Sequence, residues 1–308
     1  MTAVRKQLLF RDVDGLAFAA ARGKLDPRKL PVAYTPQRLG PLLELLHLSA
    51  GGRMPPPGNW LSPNGTAPIM RAVAQGTESW TAPGDEHTGL ICAVRRGPDG
   101  DNRLTGFLMK AKRAGRDVSG LSATVAGQLV AAMEELENNI HEHSDAPETG
   151  ILAYKAEPGA FEFVVADRGI GIRRSLRRCA AYAALQDEGR ALEAALTDGV
   201  SRHGPGSNHG HGFRPIFTGL MNLYGELRFR SGDHAITMNG ASPTSATSKL
   251  TQKAPIDGFL PASGATRSNR RQPDYPEHEV VVDDGNDPSI SVAPGFLVGE
   301  QPSSVLRP

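Results

Sequence analysis

The stretch EELENNIHEH, residues 134–143, decides the fold that we expect for this chain of 308 residues. It ends a longer run in which apolar residues recur at steps of three and four. This spacing is typical of an amphipathic helix, and Ser122 or Thr124 is a candidate cap for its start. The apolar positions are Val125, Leu129, Ala132, Leu136 and Ile140.

The same stretch carries a row of polar side chains at intervals of four residues. Glu135, Asn139 and His143 project from one side of the helix, because each step of four drifts by only about 40°. The apolar stripe through Leu136 and Ile140 lies roughly 100° further round, so one face can pack on a sheet while the next lines a cleft. A solvated acidic face is the alternative interpretation.

A second informative stretch is VVADRGIGI, residues 164–172. Asp167 follows an apolar run that reads as the second strand of a hairpin turning at residues 157–159. A carboxylate at a strand end can accept a hydrogen bond from an exocyclic amine, and glycines at 169 and 171 let a flat ring approach the backbone. The alternative is a strand followed by a tight turn.

A third stretch, HGPGSNHGHGF at residues 203–213, is rich in glycine and histidine. Glycines close to a helix start expose backbone N–H groups that suit phosphate oxygens. Two other interpretations stay open. One is a surface loop, and the other is a metal site formed by His203, His209 and His211, although no cysteine or carboxylate stands near them in the sequence.

In this order the three stretches resemble the motifs of the GHKL ATPase superfamily, which includes gyrase B, heat-shock chaperone ATPases, histidine kinases and anti-sigma serine kinases. Residues 135–139 resemble its N box, residues 167–171 its G1 box (D-x-G-x-G) and residues 210–213 its G2 box (G-x-G-[LF]). The resemblance implies an α+β fold, a two-layer α/β sandwich of the Bergerat type with a mixed sheet and helices on one face. ATP would lie under a lid at about residues 174–209.

The resemblance also implies a role for each matching residue. Asn139 is expected to ligate Mg²⁺, Asp167 to hold the adenine amino group, and Glu135 to be the base that orients water, as in the hydrolytic branches. Gly171 is expected to give the adenine ring room, and the amides near Gly210 and Gly212 to hold phosphates. The full set of expected nucleotide-binding residues is Asn139, Asp167, Gly169, Gly171, Gly210, His211, Gly212 and Phe213.

Two activities follow from the resemblance. In the first, the protein hydrolyses Mg-ATP and couples closure of the lid to a protein partner. In the second, it is a regulatory serine kinase that phosphorylates a partner, because Glu135, Asn139 and His143 resemble the E-x-x-x-N-x-x-x-H pattern of the anti-sigma kinases. ATP as a purely structural ligand is a third interpretation, and a homodimer stays open.

Composition limits the other possibilities. The formal net charge of +1 provides no global attraction to nucleic acid or to anionic lipid. No apolar run reaches the ~18–20 residues of a membrane-spanning helix, and two cysteines exclude a disulfide scaffold. We therefore expect a soluble, cytoplasmic protein.

Three zones are expected along the chain. Residues 1–115 form an N-terminal region of unknown role, residues 116–260 a histidine kinase-like ATPase domain, and residues 261–308 a largely disordered tail rich in Pro, Gly and Ser.

Two local pairings are also expected. Residues 104–109 read as a strand that pairs with a strand at 90–95, and residues 227–230 read as a hairpin with 235–238.

Overall fold

The computed structural model describes residues 4–30, 32–62, 66–75, 79–82, 86–92, 98–195, 225–239 and 247–266. The helices in these ranges are α1 (Phe10–Ala21), α2 (Leu39–Ala50), α3 (Ala67–Ala74), α4 (Pro98–Asp117), α5 (Ala123–His143), α6 (Gly171–Leu176) and α7 (Glu188–Ala195). The strands are β1 (Val4–Gln7), β2 (Val32–Thr35), β3 (Ser79–Thr81), β4 (Thr88–Cys92), β5 (Ile151–Glu157), β6 (Ala160–Ala166), β7 (Glu226–Asn239) and β8 (Thr247–Thr266).

The fold is α+β, as expected, but the main sheet is antiparallel rather than mixed. Its strand order is β3-β4-β5-β6-β8-β7, and every pairing in it is antiparallel. The prediction of a mixed sheet was therefore wrong. The reason lies in the connections: β5 and β6 form a hairpin, and two helices packed on each other, α4 and α5, return the chain between β4 and β5.

Helices cover both faces of this sheet, because the N-terminal region, for which no fold was predicted, supplies the layer on the second face. Side chains of α4 to α7 share one apolar core with β-strand residues such as Tyr154 and Phe163. Side chains of α1 to α3 share a second core with the alternate strand residues, among them Ala153 and Val164. Both faces of the central strands are apolar, and each therefore needs a covering layer.

The N-terminal 115 residues contribute directly to this architecture. Strands β3 and β4 belong to the main sheet, whereas β1 and β2 form a separate two-stranded parallel pair. The start of α2 is anchored across the sheet, because the Leu39 N–H group donates to the Glu162 carboxylate at 2.6 Å. Arg38 donates to the same carboxylate and, at 2.6 Å, to Glu226.

The structure confirms the helix predicted from the apolar periodicity, and this helix, α5, is held at both ends. Ser122 caps its start by accepting a hydrogen bond from the Val125 N–H group at 3.2 Å. Just before that start, the Ser119 hydroxyl donates to the Ala160 carbonyl oxygen at 2.6 Å. At the other end, the Ser144 carbonyl oxygen accepts from the Ile170 N–H group at 2.8 Å. Helix α5 is thus fixed along the whole length of β6.

The predicted hairpin within residues 227–238 was wrong. These residues lie in one strand, β7, whose partner throughout is β8. The Ser231-Gly232-Asp233 sequence forms a β-bulge, with Gly232 at φ +56°. A bulge that contains a glycine at positive φ uses the same residue type as many tight turns, which explains why the local sequence resembled a turn.

Two other boundaries differ from expectation. Residues 104–109 lie in helix α4, not in a strand, because Leu104, Phe107 and Leu108 have helical spacing and enter the core together. Strand β8 continues to Thr266 and so includes residues 261–266 of the expected tail; the rest of that tail lies outside the described residues.

Five charged side chains form a buried charge cluster between α1, α2 and the two last strands. Arg228 donates to Glu44 at 2.8 Å and to Asp14 at 2.6 Å, and Arg230 also donates to Glu44. Burial alone would raise the pKa of Glu44, but the charges of Arg228 and Arg230 hold that pKa well below its ordinary value. The cluster consists of Asp14, Glu44, Arg228, Arg230 and Lys253.

This cluster predicts a large effect of Glu44→Gln. The substitution leaves two buried guanidinium groups with less counter-charge, so we expect the free energy of unfolding at neutral pH to fall by about 3–5 kcal/mol in urea titrations. Arg53→Gln is the control, because it breaks an exposed pair with Asp257 and should cost less than about 1 kcal/mol. Similar losses in the two variants would contradict a special role for the cluster.

Candidate functional site

Asp167 lies where β6 ends and is held by strand β8. Its N–H group donates to the Phe259 carbonyl oxygen at 3.0 Å, and its carbonyl oxygen accepts from the Phe259 N–H group at 3.2 Å. A Cβ at residue 258 would lie 1.9 Å from that carbonyl oxygen, and Gly258 has φ +75°. Only glycine therefore allows β8 to approach Asp167 so closely.

The Asp167 side chain is 4% exposed, and its acid–base behaviour reflects that burial. Burial raises the pKa of Asp167 to about 6, although the N–H groups of Gly169 and Phe259 act in the opposite direction. The Gly169 N–H group donates to carboxylate oxygen Oδ1 at 2.9 Å. Within the described residues, Asp167 has no ion-pair partner of opposite charge. A buried carboxylate of this kind is a common feature of functional sites.

The loop after Asp167 is joined to the end of α5. A Cβ on Gly169 would lie 2.0 Å from the Ser144 carbonyl oxygen, which is the atom that accepts the hydrogen bond from Ile170. The Arg168 N–H group adds a bond to the Thr149 hydroxyl at 2.9 Å. Residues 135–139 and 167–171, far apart in sequence, are thereby held in one region of the fold.

Gly171 makes a different close contact. It has φ +72°, and a Cβ there would lie 2.9 Å from the Ser231 hydroxyl oxygen and 3.2 Å from the Gly258 carbonyl oxygen. The Ser231 hydroxyl accepts from the Ile172 N–H group at 3.0 Å and donates to Gly258 at 2.9 Å. The space that a side chain at 171 would need is thus occupied by Ser231 of β7 and Gly258 of β8.

The predicted polar row on α5 is half-buried rather than solvated. Glu135, Asn139 and His143 all have intermediate exposure. The side-chain nitrogen of Asn139 is buried and has no hydrogen-bond partner among the residues that the structure describes. Leaving such a donor unpaired costs free energy, so this amide is well suited to an acceptor brought by a ligand.

Glu135 has the electrostatic properties of a base on this face. Burial raises its pKa, and the negative charges of Glu142 and Glu134 raise it further. Glu137, by contrast, is 1% exposed and pairs with His141 at 2.8 Å. Of these neighbouring glutamates, Glu135 therefore matches the chemistry of proton transfer better than Glu137 does.

The described residues contain no group of three or more His, Cys, Asp or Glu side chains that could hold a metal ion. The Asn139 amide can nevertheless take part in a Mg²⁺ site. Magnesium keeps several waters and takes phosphate oxygens, so it needs only one or two protein ligands. An amide oxygen at 139 fits that role, and its orphaned nitrogen fits a phosphate acceptor. Among the helices described, none has the length and apolar character required to cross a membrane.

Part of the expected site lies outside the described residues. Gly210, His211, Gly212 and Phe213, and the three histidines of the alternative metal site, belong to that part. Of the expected lid at 174–209, residues up to 195 are described, and they form the end of α6, a 3₁₀ turn at Ala180–Tyr182 and helix α7.

Several residues that build the site could not be assigned from sequence. Ser144 and Thr149 tie the loop to α5, and Ser231 and Gly258 support it from the strands. The only local signal was the glycine in Ser231-Gly232-Asp233, which we interpreted as a turn. Their partners lie far away in the chain: Ser231 is 59 residues from Ile172, and Gly258 is further still from Asp167.

The raised pKa of Asp167 predicts a pH-dependent stability difference. The folded state retains a proton up to about pH 6, whereas the unfolded chain loses it near 3.8. Stability conferred by this residue is therefore present at low pH and lost as the pH rises through that interval. Asp167→Asn cannot titrate, so its free energy of unfolding relative to the parent should rise by about 2 kcal/mol between roughly pH 4.5 and pH 7.

Urea titrations of both proteins across this range measure the difference, and Asp117→Asn, at an exposed position, is the control. A difference that stays constant with pH would show that Asp167 titrates normally.

Comparisons with protein-family models, with curated protein sequences and with solved structures return no match to this chain. Its function must therefore be argued from the motifs and from the geometry around Asp167 and α5.

Proposed function

We propose that this chain binds Mg-ATP in the manner of the GHKL superfamily, hydrolyses it, and couples closure of a lid to a protein partner. The observation that carries the proposal is the joining of two motif regions, since the Ser144–Ile170 hydrogen bond holds the Asp167 loop against the helix that bears Glu135 and Asn139. We infer that β5, β6, α5 and α6 form the centre of a Bergerat-type arrangement.

Adenine recognition is assigned to Asp167. Its carboxylate can accept a hydrogen bond from the exocyclic amino group, and burial strengthens that bond by excluding water. The Gly169 N–H group holds Oδ1 in a fixed position at 2.9 Å. Because the pKa of Asp167 is about 6, the carboxylate is an acceptor at neutral pH and gains a proton in mild acid.

Phosphate and magnesium recognition is assigned to Asn139. Its nitrogen, buried and without a partner in the described part of the chain, supports this role, because a ligand oxygen would satisfy a donor that the described residues leave unsatisfied. Bound Mg-ATP would supply the phosphoanhydride bond that is cleaved, and the metal would partly neutralise the charge of the phosphate oxygens. The expected phosphate contacts of Gly210 and Gly212 complete this part of the proposal.

Hydrolysis is assigned to Glu135. It would orient a water molecule and take the proton as the water attacks the terminal phosphorus. A carboxylate with a raised pKa holds that proton better than an ordinary glutamate. The serine kinase remains the second candidate, supported by the E-x-x-x-N-x-x-x-H spacing at Glu135, Asn139 and His143; there a serine hydroxyl on a partner would replace water.

The role of Asn139 predicts a magnesium-dependent effect. Asn139→Ala should weaken Mg-ATP binding by about tenfold, yet weaken binding of ATP in EDTA by less than about threefold, because without magnesium only the phosphate contact of the amide is lost. Thermal shift measured over a range of nucleotide concentrations reports both affinities.

Asn102→Ala, at an exposed position of α4, is the matched control and should behave as the parent. An equal loss with and without magnesium would remove Asn139 from the metal shell. Failure of ATP to stabilise the parent chain at all would reject the proposed function.

The role of Glu135 predicts a loss of turnover without a loss of binding. Glu135→Gln keeps the shape of the side chain but cannot take a proton, so ATP hydrolysis should fall by about 10²- to 10⁴-fold while the Mg-ATP thermal shift is retained. Glu148→Gln, an exposed glutamate beyond α5, should leave turnover unchanged.

ATP labelled at its terminal phosphate distinguishes the two candidate reactions. Release of labelled phosphate by the purified chain indicates hydrolysis, whereas label transferred to a protein in a cell lysate indicates the kinase. Turnover that persists in Glu135→Gln would show that Glu135 is not the base.

A further inference from the structure

An open pocket of about 320 Å³ lies on the outer side of the motif loop. Its lining residues are Ile170, Arg174, Arg177 and Arg178. None of Glu135, Asn139 and Asp167 lines it. The side chains to which we assign the chemistry of ATP thus lie outside the pocket lining. Ile170, however, belongs to the loop at residues 167–171, and the three arginines lie in the segment expected to form the lid.

The charges around this pocket are not balanced. Arg178 pairs with Asp145, and the neighbouring Arg173 lies 2.7 Å from Glu188. Within the described ranges, Arg177 donates to a backbone carbonyl oxygen, that of Ala183, at 3.2 Å, and to no carboxylate. Arg174 is exposed and forms no ion pair with any residue in the part of the chain that the structure describes.

The spacing of these arginines directs them to one ligand. Residues 174, 177 and 178 stand at i, i+3 and i+4 on one side of a helical segment, where side chains are neighbours. Each guanidinium presents a planar fork of donors that matches the oxygens of a phosphate or a carboxylate. The pocket therefore offers several oriented donors to one oxyanion.

The charge count favours phosphate over carboxylate. Arg174 and Arg177 bring two positive charges that no described carboxylate neutralises, and a phosphate monoester carries about −1.5 to −2 at neutral pH. A single carboxylate would balance only one of them, as Asp145 already does for Arg178. The volume of about 320 Å³ leaves room for an organic group attached to the phosphate.

We propose that the pocket formed by Ile170, Arg174, Arg177 and Arg178 binds a phosphate monoester dianion, independently of the Asp167 site. The phosphate can belong to a small molecule or to a phosphorylated side chain. The apolar Ile170 side chain forms the wall that contacts the organic part of the ligand.

The test uses the full chain in the absence of magnesium and ATP. Isothermal titration with inorganic phosphate, and with a phosphoserine peptide beside its unphosphorylated form, measures binding. We expect at least one phosphate probe to bind, and Arg174→Gln to weaken it by about tenfold or more, since one charge-assisted contact is lost. Double substitution with Arg177→Gln should abolish binding.

Arg11→Gln is the matched control, because Arg11 is an exposed arginine on α1, a helix of the other face. Binding of the phosphoserine peptide alone identifies a phosphorylated protein as the source, and comparable binding of inorganic phosphate identifies a small molecule. Binding of none of the probes, or unchanged affinity in the double variant, would overturn the proposal.

Asp167→Asn separates this proposal from the proposed function. It should abolish stabilisation by Mg-ATP but leave phosphate binding within about twofold of the parent. Loss of both together would show that the pocket is part of the nucleotide site, and would overturn its independence. Loss of ATP binding in Arg174→Gln would do the same.

Discussion

The hydrogen bond from the Ile170 N–H group to the Ser144 carbonyl oxygen holds the candidate site together. It forms because residue 169 has no Cβ, which would lie 2.0 Å from that oxygen. Since Ser119 fixes the other end of α5 to β6, the helix cannot slide along the sheet. The polar row of α5 is thus positioned by contacts outside it, and Glu135 and Asn139 are not needed to hold the helix in place.

The two buried carboxyl groups Glu44 and Asp167 have pKa values shifted in opposite directions. Glu44 is surrounded by arginines, and its pKa is lowered despite burial. Asp167 is buried with hydrogen bonds but no cation among the described residues, and its pKa is raised to about 6. The first arrangement stabilises the packing of α1 and α2 on the strands. The second destabilises the folded state above that pH, which is expected of a residue retained for binding rather than for stability.

Local sequence patterns predicted those helices and strands whose periodicity or turn residues lie within the element itself. Helix α5 follows its 3.6-residue period, and the β5–β6 hairpin follows its turn, with Gly159 at φ +81°. Short apolar runs are ambiguous, because residues 104–109 satisfy a strand pattern and a helix pattern alike. The direction of the strands and the second helical layer were not predictable, since they depend on contacts such as that of Glu44 with Arg228, 184 residues later.

The residues of the candidate site also differ in whether the sequence could reveal them. Asp167 and Asn139 were recognisable because each belongs to a short motif whose chemistry is local. Ser144 and Gly258 were not, because one acts through a main-chain carbonyl and the other through the absence of a side chain. Neither role leaves a pattern in the surrounding residues. The bulge at 231–233 shows how far sequence patterns can be interpreted. Its glycine was recognised, but a tight turn and a bulge of this kind can both contain a glycine at positive φ.

Strand β8 links the N-terminal helices to the candidate site. His47 at the end of α2 lies 2.8 Å from the Asp257 carbonyl oxygen, and Arg53 pairs with the Asp257 carboxylate. The next residue, Gly258, packs against the backbone of Asp167. Because Gly258 has no side chain to adjust, its position is set by Asp257 on one side and by Ser231 on the other. Through α2 and Arg53, the first 115 residues therefore contact the segment of β8 that packs against Asp167.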